Sequence, residues 1–119
     1  MSDLKYVFES AKIKHIVFKS KVKSYLYGSD TPLGPILNYR QCSFGEWIYD
    51  VGLTRFNNLP EMHELEKVHR DIHDHAIYLV NLKQADQTEK ALAGLPQLEI
   101  LAENIVKLLQ QIQEKAEIS

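Results

Sequence analysis

The chain has 119 residues, with 14 basic and 16 acidic side chains and a formal net charge of −2. This length fits one domain, which we expect to span residues 1–119. The balanced charge predicts no nucleic-acid partner, and a single cysteine excludes a disulfide framework.

No apolar run approaches the roughly 18 residues that cross a bilayer. Residues 1–6 also lack the charged, apolar and small-residue layout of a signal peptide. We therefore expect no membrane partner and a cytoplasmic location, where the thiol stays reduced.

The predicted elements, taken in chain order, are all helical. In residues 3–27, apolar side chains recur at steps of three and four, which is typical of one buried helical face. Residues 28–41 begin with a run rich in Gly and Pro that ends this helix. The aromatic-rich residues 43–53 predict a shorter helix or a helical turn.

Pro60 is well placed to open a second long helix, over residues 60–86. Residues 98–112 carry another apolar stripe, after a weaker break at residues 93–96. Three long helices and a short one, joined mostly by short links, predict an all-α fold. Within that class we expect an antiparallel four-helix bundle with a short additional helix.

Three histidines occupy stripe positions that should be buried. His15 lies in the stripe of the first helix, and His69 and His73 lie one turn apart on the helix of residues 60–86. A single core histidine is usually hydrogen-bonded to a neighbour. An unpaired buried polar group costs roughly 1–3 kcal/mol, and one shared metal ion would satisfy all three rings. The other two, His63 and His75, should face solvent.

Cys42 is the fourth candidate ligand. A lone cysteine is most often a small buried hydrophobic residue. Here it directly precedes the short predicted helix, and a helix N-terminus stabilises a thiolate. Three neutral imidazoles and one thiolate form a donor set that suits tetrahedral zinc.

The order of these residues resembles a known pattern. The constellation is His15, then Cys42-x-x-Gly45-x-Trp47, then His69-x-x-x-His73. It is similar to the chemoreceptor zinc-binding (CZB) domain, which is found in cytoplasmic bacterial chemoreceptors and in zinc-inhibited diguanylate cyclases. The Cys-x-x-Gly-x-Trp element is specific only together with the downstream histidine pair.

The resemblance implies a four-helix bundle, often paired as a homodimer, with Zn²⁺ held by His15, Cys42, His69 and His73. It implies packing roles for the motif's Gly and Trp. Family members usually sit at the end of a receptor or cyclase, whereas this chain carries no such output domain. A signalling partner of the chemoreceptor or diguanylate cyclase type would therefore act in trans. The length of the Gly/Pro-rich link is a second departure from the family.

Four protein ligands leave no open position on tetrahedral zinc, which predicts a sensor or regulatory site and not an enzyme. The signal would be metal occupancy or Cys42 oxidation. The main alternative is a metal-dependent enzyme similar to DinB-like bundle proteins. In that case Cys42 points elsewhere, and His15, His69 and His73 hold a metal with an open position for water.

Two other readings are weaker. A di-iron bundle needs two Glu-x-x-His copies, and only Glu66-x-x-His69 is present. A helical adaptor that binds no metal leaves the buried imidazoles unexplained.

Overall fold

The structure is a computed structural model that describes residues 2–118. Over those residues it contains helices and the turns that join them, with no strand. The predicted all-α class is therefore confirmed. Among the described residues, none of the helices combines the length and the apolar composition of a membrane span.

Three long helices and several short ones follow one another along the chain. In order they are α1 (Ser2–Leu26), α2 (Gly34–Leu37), α3 (Ser43–Trp47), a π-helical turn (Ile48–Gly52), α4 (Leu53–Arg55), α5 (Pro60–Gln84), α6 (Thr88–Ala93) and α7 (Leu95–Ile118). Helix α5 packs against α7, α6 and α2, and α1 packs against α7, α3 and α5. The result is an elongated body measuring 50 × 21 × 18 Å.

The ends of the long helices follow from local chemistry. Helix α1 ends just before Gly28, whose φ of +106° strongly favours a residue without a Cβ. Pro60 occupies the first turn of α5, as predicted, and Leu59 before it is extended. Asp86 has a φ of 61° and separates α5 from α6, a short helix that the apolar stripes did not predict.

The predicted short helix of residues 43–53 is present in three pieces. Helix α3 runs without a break into the π-helical turn and then into α4, so the helical segment extends to Arg55. Phe44, Trp47 and Ile48 from this segment are buried. They hold the start of α3, and with it Cys42, against α1.

The core consists of the apolar faces of the three long helices. Its largest fully buried side chains include Phe8, Leu26, Met62, Leu65, Ile72, Leu79, Leu98, Ile105 and Leu109. His15, His69 and His73 lie among these residues and are each only 1% exposed. The prediction that three histidines occupy core positions is confirmed.

Candidate metal centre

Three of the four predicted ligands meet in the core. The donor atoms of Cys42, His69 and His73 all lie within 4.8 Å of one another. A tetrahedral zinc with bonds of about 2.0–2.3 Å separates its ligand atoms by about 3.3–3.8 Å. The widest separation between donor atoms therefore needs to shrink by about 1 Å for these three side chains to bind one ion.

Two helices position the cluster. His69 and His73 are one turn apart on α5, and their ring centroids are 4.5 Å from each other. Cys42 is the N-cap residue of α3, where an extended backbone turns its side chain toward α5. The sequence prediction that Cys42 precedes a short helix is confirmed.

A backbone carbonyl orients His73. Its Nδ1 lies 2.8 Å from the Ile36 oxygen in α2, and because a carbonyl only accepts, Nδ1 carries the hydrogen. The lone pair of the neutral ring is then on Nε2, which is buried and has no hydrogen-bond partner. Metal-binding histidines are commonly fixed in this way by an acceptor on the other ring nitrogen.

His15 lies beside the cluster but is not a member of the 4.8 Å group. Its ring centroid is 5.5 Å from that of Phe44, and the Phe44 centroid is 5.4 Å from that of His69. Both ring nitrogens of His15 are buried, and neither has a partner at hydrogen-bonding geometry. The Ala102 carbonyl of α7 is close enough to raise its pKa.

Burial keeps the imidazoles neutral. Loss of solvation, helped by the nearby Lys19, lowers the pKa of His15 to about 4. Loss of solvation, together with His73 and His15, lowers the pKa of His69 to about 3. Burial also lowers the pKa of His73, although the Ile36 carbonyl opposes the shift. Because metal ligands must be deprotonated, all three rings are ready to bind at neutral pH.

The Cys42 thiol behaves differently. Burial raises its pKa, and this outweighs the backbone amides of Gly45 and Phe44 and the charge of Lys21, which lower it. Stabilisation of the thiolate by the helix N-terminus, which the sequence suggested, is therefore present but smaller than the cost of burial. This thiol must lose its proton when it binds a metal.

The polar atoms left unpaired in the core fit a metal ion. Five ring nitrogens of His15, His69 and His73 are buried with no partner. Each such atom costs roughly 1–3 kcal/mol when it is left unsatisfied. Nitrogen donors beside a sulfur donor are the set that zinc accepts.

The two remaining histidines give different outcomes. His63 is exposed, and its Nε2 lies 2.7 Å from the Asn57 carbonyl, so its surface placement is confirmed. The prediction that His75 is solvated is wrong. Its Nε2 lies 2.9 Å from the Gly94 carbonyl, because the end of α6 folds back onto α5 and covers part of the ring.

Sequence reasoning missed three residues that contact the cluster or His15. Ile36 and Ala102 act through backbone carbonyls, which no side-chain pattern reveals. The Tyr39 ring makes edge contacts with both α5 histidines, and its centroid is 6.2 Å from that of the His69 ring and 6.3 Å from that of the His73 ring. The one feature of the sequence that could have indicated Tyr39 is its position three residues before Cys42, in the loop that leads into α3.

A helical core with a buried Cys/His cluster defines a metal-binding domain. The sequence model of the chemoreceptor zinc-binding domain family matches residues 15–80, which is more than half of the chain. The chain therefore belongs to the chemoreceptor zinc-binding domain family. Family membership and the cluster together identify Zn²⁺ as the metal. No curated protein and no solved structure gives a significant match.

Proposed function

We propose that this chain is a zinc-binding regulatory domain in which His15, Cys42, His69 and His73 hold one Zn²⁺. The convergence of the Cys42, His69 and His73 donor atoms within 4.8 Å carries the proposal. All three side chains are at most 2% exposed, so the site is built into the core and is not a chance surface cluster.

His15 is the best candidate for the fourth ligand. It is the other core histidine, it shares Phe44 as a ring contact with His69, and neither of its ring nitrogens has a partner at hydrogen-bonding geometry. With His15 bound, the four ligands close the tetrahedral site, which is the arrangement of structural and regulatory zinc. The enzyme alternative needs Cys42 to point away from the α5 histidines, and its sulfur lies beside them.

We infer that occupancy changes how the helices pack. His15 belongs to α1, Cys42 begins α3, and His69 and His73 belong to α5, so a shared ion would link three separate elements. Structural zinc in small domains contributes roughly 10–16 kcal/mol of apparent binding free energy at neutral pH. A small part of that energy suffices to shift a helix arrangement that differs by a few kcal/mol.

Oxidation of Cys42 is a second way to change the site. A hydroperoxide transfers one oxygen atom to the thiolate sulfur, giving a sulfenate and the corresponding alcohol. The sulfenate is a poorer zinc ligand, so the same helices would be released without any change in zinc concentration. This route uses the same four residues and predicts the same structural output.

We propose one domain over residues 1–119, arranged as an antiparallel four-helix bundle with a short additional helix. We further propose that it pairs as a homodimer in the cytoplasm, with no nucleic acid or membrane as a partner. It would signal to a chemoreceptor or diguanylate cyclase type of protein in trans. Family membership and the balanced charge support these proposals.

Competition titration against a chromophoric zinc chelator tests the site. We expect about one zinc per chain, and Ala variants at each proposed ligand should weaken binding by at least about 100-fold, because each removes a bond to the metal. His63→Ala, on the exposed side of α5, is the matched control and should bind as the wild type does. Full affinity in Cys42→Ala would instead support the three-histidine open site of the enzyme alternative.

A further inference from the structure

We propose that zinc enters and leaves the metal centre through a groove between α1 and α7, with His15 as the ligand at its floor. This inference rests on the zinc site proposed above. It adds the route of exchange and makes His15 the first ligand to meet an incoming ion and the last to release a departing one.

The groove connects the surface to one proposed ligand. Its volume is about 320 Å³, and its walls include Ile16 and Lys19 from α1 and Glu99 and Val106 from α7. His15 lies at its inner end and is 1% exposed, whereas the wall residues Ile16 and Val106 are 53% and 40% exposed. Small movements of exposed side chains would therefore bring solvent to the His15 ring.

A second cavity reaches a different ligand but suits a cation poorly. It contacts Cys42, and its volume is about 10 Å³, close to the space that one water needs. Its charged lining consists of Lys14 and Lys21, with no acidic side chain. A hydrated divalent cation is too large for this opening and is repelled by both lysines.

The charges in the groove are balanced instead. Two acidic residues, Glu99 and Glu103, offset Lys19 and Lys107 among its lining residues. Glu99 also pairs with Lys19 at 3.1 Å and with Lys23, and these pairs join α1 to α7 at the edge of the groove. The residues that line the approach to His15 thus carry no net charge, with Lys23 as one further positive charge at its edge, and this is the wider of the two openings.

His69 and His73 line neither cavity. Phe44 and Tyr39 pack against the His69 ring, and Phe18 and Tyr39 pack against the His73 ring. Phe44 also contacts the His15 ring, so an ion that reaches His15 must pass the His15 and Phe44 rings to meet the other donors.

Stopped-flow transfer of zinc between the protein and a chromophoric chelator tests the route. Val106 in the groove and Val17 at the Cys42 cavity are a matched pair, since they are 40% and 42% exposed and neither is a proposed ligand. Val106→Trp should slow uptake and release equally, by about five-fold or more, because it raises the barrier common to both directions. The equilibrium affinity should stay at the wild-type value, and Val17→Trp should change neither rate.

A second variant with a smaller side chain tests whether the effect of Val106→Trp comes from the width of the groove. Val106→Ala widens the groove and should accelerate uptake and release together, again without a change in affinity. Slower exchange only in Val17→Trp would overturn the proposal in favour of the Cys42 cavity, and unchanged rates in both Trp variants would overturn it in favour of a larger opening of the bundle. Failure of the wild type to bind one zinc would instead overturn the proposed function, so the two failures are distinguishable.

Discussion

The carbonyl oxygen of Tyr39 occupies the place that a Cβ on residue 45 would need, so the loop before Cys42 can lie against α3 only because residue 45 is glycine. The same Cβ would come within 3.1 Å of the His69 ring. The glycine of the Cys-x-x-Gly-x-Trp motif thus allows the loop, Cys42 and an α5 histidine to approach one another. Its predicted packing role is confirmed, and the structure shows which atoms require it.

Gly45→Ala should destabilise the protein, although Ala is normally the better helix former by about 1 kcal/mol. Because the added methyl group meets a backbone oxygen, the loop must move, at a cost of about 1–3 kcal/mol. Thermal unfolding of the metal-free and zinc-loaded forms measures this, and zinc affinity should fall as well. Gly34→Ala is the control, since its Cβ meets only the flexible end of Gln41 at 2.9 Å. Equal losses in the two variants would contradict the argument.

Zinc binding should release about one proton per ion at neutral pH. The three rings are already neutral, because burial lowers the pKa values of His15, His69 and His73. The Cys42 thiol has a raised pKa and must deprotonate to bind. Calorimetric titration in buffers of different ionisation enthalpy counts the proton, and Cys42→Ala should release none. Release of two or more protons from the wild type would show that the rings start protonated.

The metal-free protein should lose stability in mild acid. The folded-state pKa values of His15 and His69, about 4 and 3, lie below the unfolded value of about 6.5, so the unfolded chain takes up protons first as the pH falls. Stability is fully present above about pH 6.5 and falls below it, by up to about 1.4 kcal/mol per pH unit for each ring, until the folded-state pKa is reached. Denaturant unfolding between pH 7 and pH 5 measures the slope. A stability that stays flat between pH 7 and pH 5 would contradict the argument.

Replacing His15 should have opposite effects on the stability of the metal-free protein and on zinc binding. The Ala102 carbonyl can serve only one His15 nitrogen, so His15→Leu removes at least one buried nitrogen that has no partner and should stabilise the metal-free protein by about 1–3 kcal/mol. The same change should weaken zinc binding strongly if His15 is a ligand. Thermal unfolding with and without zinc measures both effects, with His63→Leu as the surface control. Destabilisation of the metal-free form by His15→Leu would mean that the ring is already satisfied without a metal.

The fluorescence of the single Trp should report whether zinc is bound. Trp47 is 5% exposed, and its ring stacks on that of Phe44, with centroids 6.1 Å apart. Phe44 in turn contacts the rings of His15 and His69. Ordering of those rings by zinc should therefore change Trp47 fluorescence, and the change should reach its limit at one equivalent. The same titration of His69→Ala should show no such end point.

The helical periodicity predicted what depends on local pattern. It placed the long helices and the three core histidines, and Pro60 marked the start of α5. It did not predict α6, because the break at Asp86 comes from one left-handed residue without a glycine. The sequence also gave no sign that His75 would reach the Gly94 carbonyl, since that contact depends on how α6 folds back.

In the candidate site too, the side chains could be predicted from local pattern, whereas the tertiary contacts around them could not. Side-chain identity and spacing pointed to Cys42, His69 and His73, and the structure brings them together. The acceptor for His73 is the Ile36 carbonyl, and any residue in that place could supply the same atom. Contacts made by backbone atoms across 37 positions of sequence arise from tertiary packing, and no motif encodes them.

Zinc K-edge X-ray absorption of the loaded protein tests the central claim most directly. Binding by His15, Cys42, His69 and His73 predicts three nitrogen neighbours at about 2.0–2.1 Å and one sulfur at about 2.3 Å. His15→Ala should lose one imidazole nitrogen and keep the sulfur. A wild-type spectrum with two imidazole nitrogens, one sulfur and a water oxygen would contradict the closed four-ligand site, and so would a spectrum without sulfur.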